Sequence, residues 1–176
     1  MVVSVALLTG TTACSSSDKA SSDQTSGAAD TPTTKPSETP SAPPSINASQ
    51  VVAGLSGVGY KCSNDGTYAI CTSGPAAVWV LTGDHPRPPV VSLHSTGPVE
   101  TASAAIAKVL PQALELAHIS QGPQIAEWFG QQSGKTSAQT TAGDWQVDYS
   151  AEVDTEEPGA HLSLMDKLCE TNCTAE

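Results

Sequence analysis

The distribution of apolar residues confines folding to one part of the chain. Between residues 15 and 49, ten Ser, five Thr and five Pro fill 20 of 35 positions, and no Leu, Ile, Val, Met or aromatic residue occurs before Ile46. Such a segment cannot bury enough apolar surface to offset the entropy lost on ordering, so we expect a disordered linker. Residues 50–176 are numerous enough to form one domain with its own core.

The chain opens with a short apolar run, Val2 to Leu8, interrupted only by Ser4. A run of this length suits the apolar part of an export signal and is far shorter than the ~20 residues of a membrane-spanning helix. The following Thr11-Thr12-Ala13-Cys14 resembles the lipobox of bacterial lipoproteins, although Thr11 stands where that family usually has Leu. No Lys or Arg precedes Cys14, so we expect the natural precursor to begin upstream of Met1.

The resemblance implies an anchored protein of the cell envelope. Residues 1–13 would be the signal peptide, and Cys14, at the start of the 14–49 segment, would carry diacylglycerol and a further acyl chain such as palmitate. Two or three acyl chains hold a protein stably at a membrane, whereas one does so only marginally. The alternative is an ordinary secreted protein, because Thr11 and Ala13 also suit the cleavage that releases soluble proteins. The abundance of Ala, Thr, Gly and Pro resembles the composition of actinobacterial proteins.

The charge balance excludes some classes of partner. The chain has 18 acidic residues and 7 Lys or Arg, a net charge of −11, and residues 50–176 hold most of this excess. An acidic surface repels the phosphates of nucleic acids and the headgroups of anionic lipids. We therefore expect no nucleic acid partner, a monomeric domain, and membrane contact only through Cys14, on the extracytoplasmic face.

Five cysteines are present, and assigning Cys14 to lipid leaves an even number, as expected in an oxidising compartment. The strand-like segments 60–63 and 68–72 flank the turn residues Asn64-Asp65-Gly66-Thr67, a pattern that predicts a β-hairpin. Centring the hairpin on Gly66-Thr67 places Cys62 opposite Cys71, close enough for a disulfide bond. Cys169 and Cys173 then pair with each other.

The first half of the domain predicts a β-meander. Apolar and β-branched residues in 77–81 and 90–94 add two strands to the hairpin. The loop between them, 83–89, contains three prolines and cannot continue a strand ladder. Its residues His85 and Arg87 are a candidate contact site, because the loop is stiff and carries one of the few positive charges; the alternative is a rigid hairpin connection.

The second half predicts helices followed by strands. Gly97-Pro98 opens a helix with one apolar stripe, which Pro111 should kink or split. A second short helix follows Gly122-Pro123. Segments 145–153 and 160–165 then show strand patterns, and 136–142 is a further candidate. The fold class is therefore α+β, with an antiparallel sheet of about six strands and helices on one face.

No local motif indicates catalysis. The chain contains no nucleophile elbow, phosphate-binding loop, dinucleotide fingerprint or zinc-protease motif. The four histidines, at positions 85, 94, 118 and 161, are scattered, and we expect surface or strand-edge positions for them. Six acids cluster near the last strands without the spacing of a calcium loop: Asp144, Asp148, Glu152, Asp154, Glu156 and Glu157. We predict no catalytic residue, metal site or cofactor.

These observations favour a membrane-anchored lipoprotein whose domain binds an envelope protein or a small ligand without catalysing a reaction. One alternative is an extracytoplasmic enzyme whose site residues come from distant segments. Another is a carrier with an apolar cavity between sheet and helices, which Ile106, Leu110, Trp128 and Tyr149 would line. Solid packing with an exposed patch would instead favour an interaction domain.

Overall fold

The computed structural model describes residues 45–153 and 156–174. Its elements, in chain order, are α1 (Ala48–Gly57), β1 (Lys61–Asp65), β2 (Tyr68–Ser73), β3 (Ala76–Leu81), β4 (Val90–Thr96), α2 (Val99–Leu116), α3 (Gly122–Gly130), β5 (Ser137–Ala142), β6 (Trp145–Glu152) and β7 (Gly159–Asp166). The signal peptide, Cys14, most of the linker and Asp154 lie outside the described residues.

The described strands form one antiparallel sheet in the order β1-β2-β3-β4-β7-β6-β5. This confirms the predicted α+β class, with seven strands where the sequence predicted about six. The additional strand is β5, within the candidate segment 136–142. The helices lie on one side of this sheet, as predicted.

The first hairpin has the predicted register. Asp65 pairs with Tyr68 around a two-residue loop of Gly66 and Thr67, and Cys62 lies opposite Cys71. Gly66 has a φ of 59°, a left-handed conformation that glycine adopts without the steric cost of a side chain. The turn chemistry of the sequence was therefore sufficient to place both cysteines.

The last of the described strands, β7, occupies a central position in the sheet. β7 lies between β4 and β6, so that Val90 pairs with Met165 and Trp145 with Asp166. Gly159 begins this strand very close to β4, since a Cβ atom added there would lie 2.7 Å from the carbonyl oxygen of Ser95. The sequence patterns predicted the strand but not its neighbours.

The core lies between the sheet and the three helices. Its largest fully buried side chains are Leu55, Leu93, Ile106, Leu110, Leu114, Ile125, Leu162 and Leu164. They come from α1, α2 and α3 on one side and from the central strands on the other. No helix of the described part is both long and apolar enough to cross a membrane.

The helices add two findings to the sequence prediction. Of the two expected effects of Pro111, a kink or a split, the split does not occur, because α2 runs continuously through this exposed residue. The carbonyl of Ala107, which loses its partner because Pro111 has no N–H, belongs to an exposed residue and can bond to water. α1 was not predicted, although Asn47 and Gln50 form a capping box at its start and each side chain bonds the other residue's backbone N–H at 3.0 Å.

Candidate functional site

No helix of the described part of the chain lies on one face of the sheet, and we call this face the open face. Successive strand residues point to opposite faces, so the residues between the core positions project here. The half-buried members of this face include Tyr68, Ile70, Trp79, His94, Asp148, His161 and Met165. At its centre the hydroxyl groups of Ser92 and Ser163 lie 3.2 Å apart, within hydrogen-bonding distance.

Four rings form a row across the open face: Tyr68 on β2, Trp79 on β3, His94 on β4 and His161 on β7. Successive ring centroids are 5.8, 5.2 and 4.1 Å apart. The last two pairs are inclined by only 29° and 37°. Rings so close and so nearly parallel overlap face to face, because rings lying side by side would be further apart. This aromatic row therefore covers part of the sheet on the open face.

The two histidines of the row face each other across β4 and β7. The pKa of His161 is lowered from 6.5 to about 4, first by burial and then by His94, while Asp148 partly offsets both effects. Burial also lowers the pKa of His94, with an opposing contribution from Glu152. Both imidazoles are therefore neutral at pH 7 and pack as aromatic groups.

The row ends next to acidic residues of β6. Asp148 accepts hydrogen bonds from the Nε2 atoms of Gln139, at 2.5 Å, and Gln146, at 2.9 Å. Glu152 is exposed near the end of the same strand. Neither carboxylate forms an ion pair within residues 45–153 and 156–174. The β6 end of the open face consequently carries uncompensated negative charge.

The rest of the predicted acid cluster is divided between different surroundings. Asp144 lies 3.6 Å from Arg87, whereas Glu156 and Glu157 lie exposed in the segment before β7. No group of three or more acidic, His or Cys side chains in the described part of the chain could hold a metal ion.

The candidate contact loop is fixed to the sheet by Arg87. The guanidinium forms two hydrogen bonds with Asp166, including one from Nε at 2.5 Å, and its Cζ lies 5.1 Å from the ring centroid of Trp145. The hydrogen bond with Asp166 is the main cause of a raised pKa of Arg87, and the charge of Asp144 contributes to it. Arg87 is thus already bound within the domain, which makes it less available to a partner.

His85 borders a shallow cavity of about 330 Å³, together with Arg87, Leu168 and Glu170. Of the two residues in the predicted contact site, it is the one with fewer bonds inside the domain. The interpretation of this loop as a contact site stays a prediction.

A second cavity, of about 360 Å³, lies where α2, the segment after α3 and β6 meet. Val99, Ala107 and Phe129 provide apolar walls, and Lys135 and Glu100 provide charges of opposite sign. Within it, the Ser103 and Tyr149 hydroxyl groups lie 3.2 Å apart. Tyr149 is the one residue of the predicted carrier cavity that lines it; Ile106 and Leu110 are instead buried in solid core packing.

The four cysteines of the domain form two pairs at disulfide-bonding distance, consistent with the predicted disulfides. Cys62 pairs with Cys71, and Cys169 with Cys173, with Cα atoms 4.0 and 5.7 Å apart. The first pair ties β1 to β2, and the second closes a small loop after β7. The sulfur of Cys62 also lies 3.9 Å from the Val52 carbonyl of α1. The positions of both pairs suit a structural role.

The aromatic row was not predicted from the sequence. The sequence predicted scattered surface or strand-edge positions for the histidines, whereas the pairing of β4 with β7 brings His94 and His161 together. A local signal was present, because Ser and His alternate with apolar residues in both strands. This alternation indicates a sheet face that carries polar side chains opposite the core. That signal could identify the face but not the partner strand.

Comparison of the chain with protein-family models, curated proteins and solved structures finds no match.

Proposed function

We propose that the chain is a lipoprotein held through Cys14 on the extracytoplasmic face of the cell membrane, with a domain that binds another envelope protein without catalysing a reaction. The observation that carries the binding role is the open face, where half-buried Tyr68, Ile70 and Trp79 lie on a sheet side that no described helix covers. Half-buried aromatic and apolar side chains at such a surface favour protein contacts.

The negative charge of the open face indicates which kind of protein could bind there. Asp148 and Glu152, at one end of the open face, form no ion pair with any residue that the structure describes, and the chain has a net charge of −11. Complementary charge steers association and suppresses wrong partners. We infer that the partner presents basic side chains opposite β6 and apolar side chains opposite Tyr68 and Trp79.

Capture from detergent-solubilised envelope tests this role. The intact protein should retain a partner, and Glu152→Lys should lose most of it, because the substitution reverses the charge that faces the partner. Glu115→Lys is the matched control, since it makes the same charge change at an exposed position on α2. Raising the salt concentration should weaken capture by the wild type. Equal capture by the two variants would refute the role of the open face.

The anchor is tested separately. Cys14→Ser should release the protein into the medium or leave it unprocessed, because the thiol that would carry the lipid is absent. Fractionation of cells and intact mass of the product measure this result. A Cys14→Ser protein that remains acylated and membrane-bound would refute the anchor.

The cavity beside α2 favours a second candidate function, the carriage of a small ligand. Its volume of about 360 Å³ falls within the usual ~300–1,000 Å³ of ligand sites, and its walls are largely apolar. Ala104→Trp would fill the cavity from the exposed side of α2. If the protein purifies with a bound small molecule that this variant lacks, the carrier function is favoured over the interaction domain.

A further inference from the structure

The strand β5 is a free edge of the sheet. It pairs with β6 on one side, and no strand of the described part lies on its other side. None of its six residues, from Ser137 to Ala142, is charged, a proline or a glycine. Natural edge strands usually carry lysines, prolines, bulges or a cover that prevents pairing with another chain. The opposite edge, β1, has such protection, because it contains Lys61 and Asp65 and lies beside α1.

The hydrogen-bond alternation shows which backbone groups of β5 are free. The N–H of Ala151 donates to the carbonyl of Thr136 at 2.8 Å, so position 136 faces β6. In an antiparallel ladder, alternate residues direct both backbone groups to the same neighbour. Residues 138, 140 and 142 therefore also face β6. Ser137, Gln139 and Thr141 direct their N–H and C=O groups outward.

The outward N–H and C=O groups of one β5 strand can form hydrogen bonds with the same groups of a second, antiparallel β5 strand. We propose that two copies of the chain associate weakly through antiparallel pairing of β5 with β5, about a two-fold axis at Gln139. In this register Ser137 of one copy lies opposite Thr141 of the other, and the two Gln139 residues lie opposite each other. Each residue with outward backbone groups is then paired with another such residue. Shifting the register by two residues leaves one of the three unpaired on each strand. The symmetric register is therefore the one that satisfies most backbone groups.

The charges near the edge do not prevent this pairing. The nearest carboxylate opposite the central residue is that of Asp148, on β6. In the symmetric dimer the two Asp148 residues would be three strand spacings apart, roughly 14 Å at about 4.8 Å per strand. This exceeds the screening length of about 8 Å at physiological salt. The net charge of the whole chain still opposes association, so we expect dimerisation to strengthen as salt is added.

The association should be weak, because an edge of six residues is far smaller than a standard protein interface. A dilute solution would then contain monomers, as the sequence led us to expect. Chains confined to a membrane surface would meet at a much higher effective concentration. The inference itself does not depend on the anchor or on the partner proposed for the open face, because β5 is exposed in either case.

Two double variants of the full chain test the register. Ser137→Lys with Thr141→Lys places like charges opposite each other at both ends of the pairing, whereas Ser137→Lys with Thr141→Glu places opposite charges there. Sedimentation should show that the Lys/Lys variant associates roughly tenfold more weakly than the Lys/Glu variant. Non-specific electrostatics predicts the reverse, since the Lys/Lys variant has the smaller net negative charge. Equal or stronger association of the Lys/Lys variant would overturn the proposal.

Amide hydrogen exchange of the wild type provides a measurement that needs no variant. As the concentration rises toward roughly millimolar, the amides of Ser137, Gln139 and Thr141 should gain protection. Those of Ala138 and Thr140, which already bond β6, should not change. Exchange at the three outward positions that is independent of concentration would contradict the pairing.

Discussion

Acidification should destabilise the domain through His161. Its pKa is lowered from 6.5 to about 4, mainly by burial and then by His94. The unfolded chain therefore binds a proton that the folded chain resists between these two pH values. Stability from this residue is complete above pH 6.5 and falls as the pH decreases toward 4.

The magnitude follows from the size of this difference. Each unit of pKa corresponds to about 1.36 kcal/mol. The lowering of the His161 pKa from 6.5 to about 4 therefore corresponds to at most about 3.4 kcal/mol of folding stability. Because the His161 side chain is only half-buried, solvent screens part of the effect, and we expect a loss of about 2 kcal/mol between pH 7.5 and 4.5. His94 should add to this loss, since burial lowers its pKa as well.

Urea unfolding at the two pH values measures the effect. His161→Phe keeps a ring in the row but cannot be protonated. Between pH 7.5 and 4.5 the variant should therefore lose less unfolding free energy than the wild type does, and the difference between the two losses should be about 2 kcal/mol. His118→Asn, which removes an exposed histidine after α2, should keep the wild-type difference. The reasoning is refuted if His161→Phe and the wild type lose the same free energy on acidification.

Three substitutions test other parts of the structure, each by urea unfolding. Tyr60→Phe should be neutral or stabilise by up to about 1 kcal/mol, because the buried Tyr60 hydroxyl has no hydrogen-bond partner among the described residues. A destabilisation of more than about 1 kcal/mol would indicate that this hydroxyl has a partner. Arg87→Ala should cost about 2–4 kcal/mol, because the nearly buried Asp166 carboxylate loses both hydrogen bonds from Arg87 and keeps only the one from the Leu168 N–H; an unchanged midpoint would contradict this role. Gly159→Ala should cost about 1–3 kcal/mol, because the added methyl group meets the Ser95 carbonyl; wild-type stability would show that β4 and β7 can separate freely.

The parts of the fold that the sequence predicted are those governed by neighbouring residues. The hairpin at Gly66 followed from turn chemistry, and α2 and α3 followed from helical periodicity and from Pro98 and Pro123 near their starts. Where a local rule left two outcomes open, as with the kink or split expected at Pro111, the surroundings decided against the split. Pro111 remained within α2 because the carbonyl that it leaves unpaired is on the solvent side.

The candidate site was less predictable, because it depends on contacts between distant segments. His94 and His161 gain their properties from the β4–β7 pairing, and Arg87 gains its partner from the end of β7. No pattern within a single segment specifies which strands become neighbours. The free edge at β5 was likewise invisible until the strand order was known, although its uncharged sequence could be read directly.

The central position of β7 has a consequence for how the chain folds. Before β7 pairs with its neighbours, β4 and β6 each have an unpaired edge, and apolar core residues flank both edges. Pairs such as Val90 and Met165 close a long loop, so this step carries a large entropic cost and should limit the folding rate. A chain cut before Gly159 would keep two exposed edges and aggregate. β7, which follows the other described strands in the chain, is therefore the segment that converts two separate sets of strands into a single sheet.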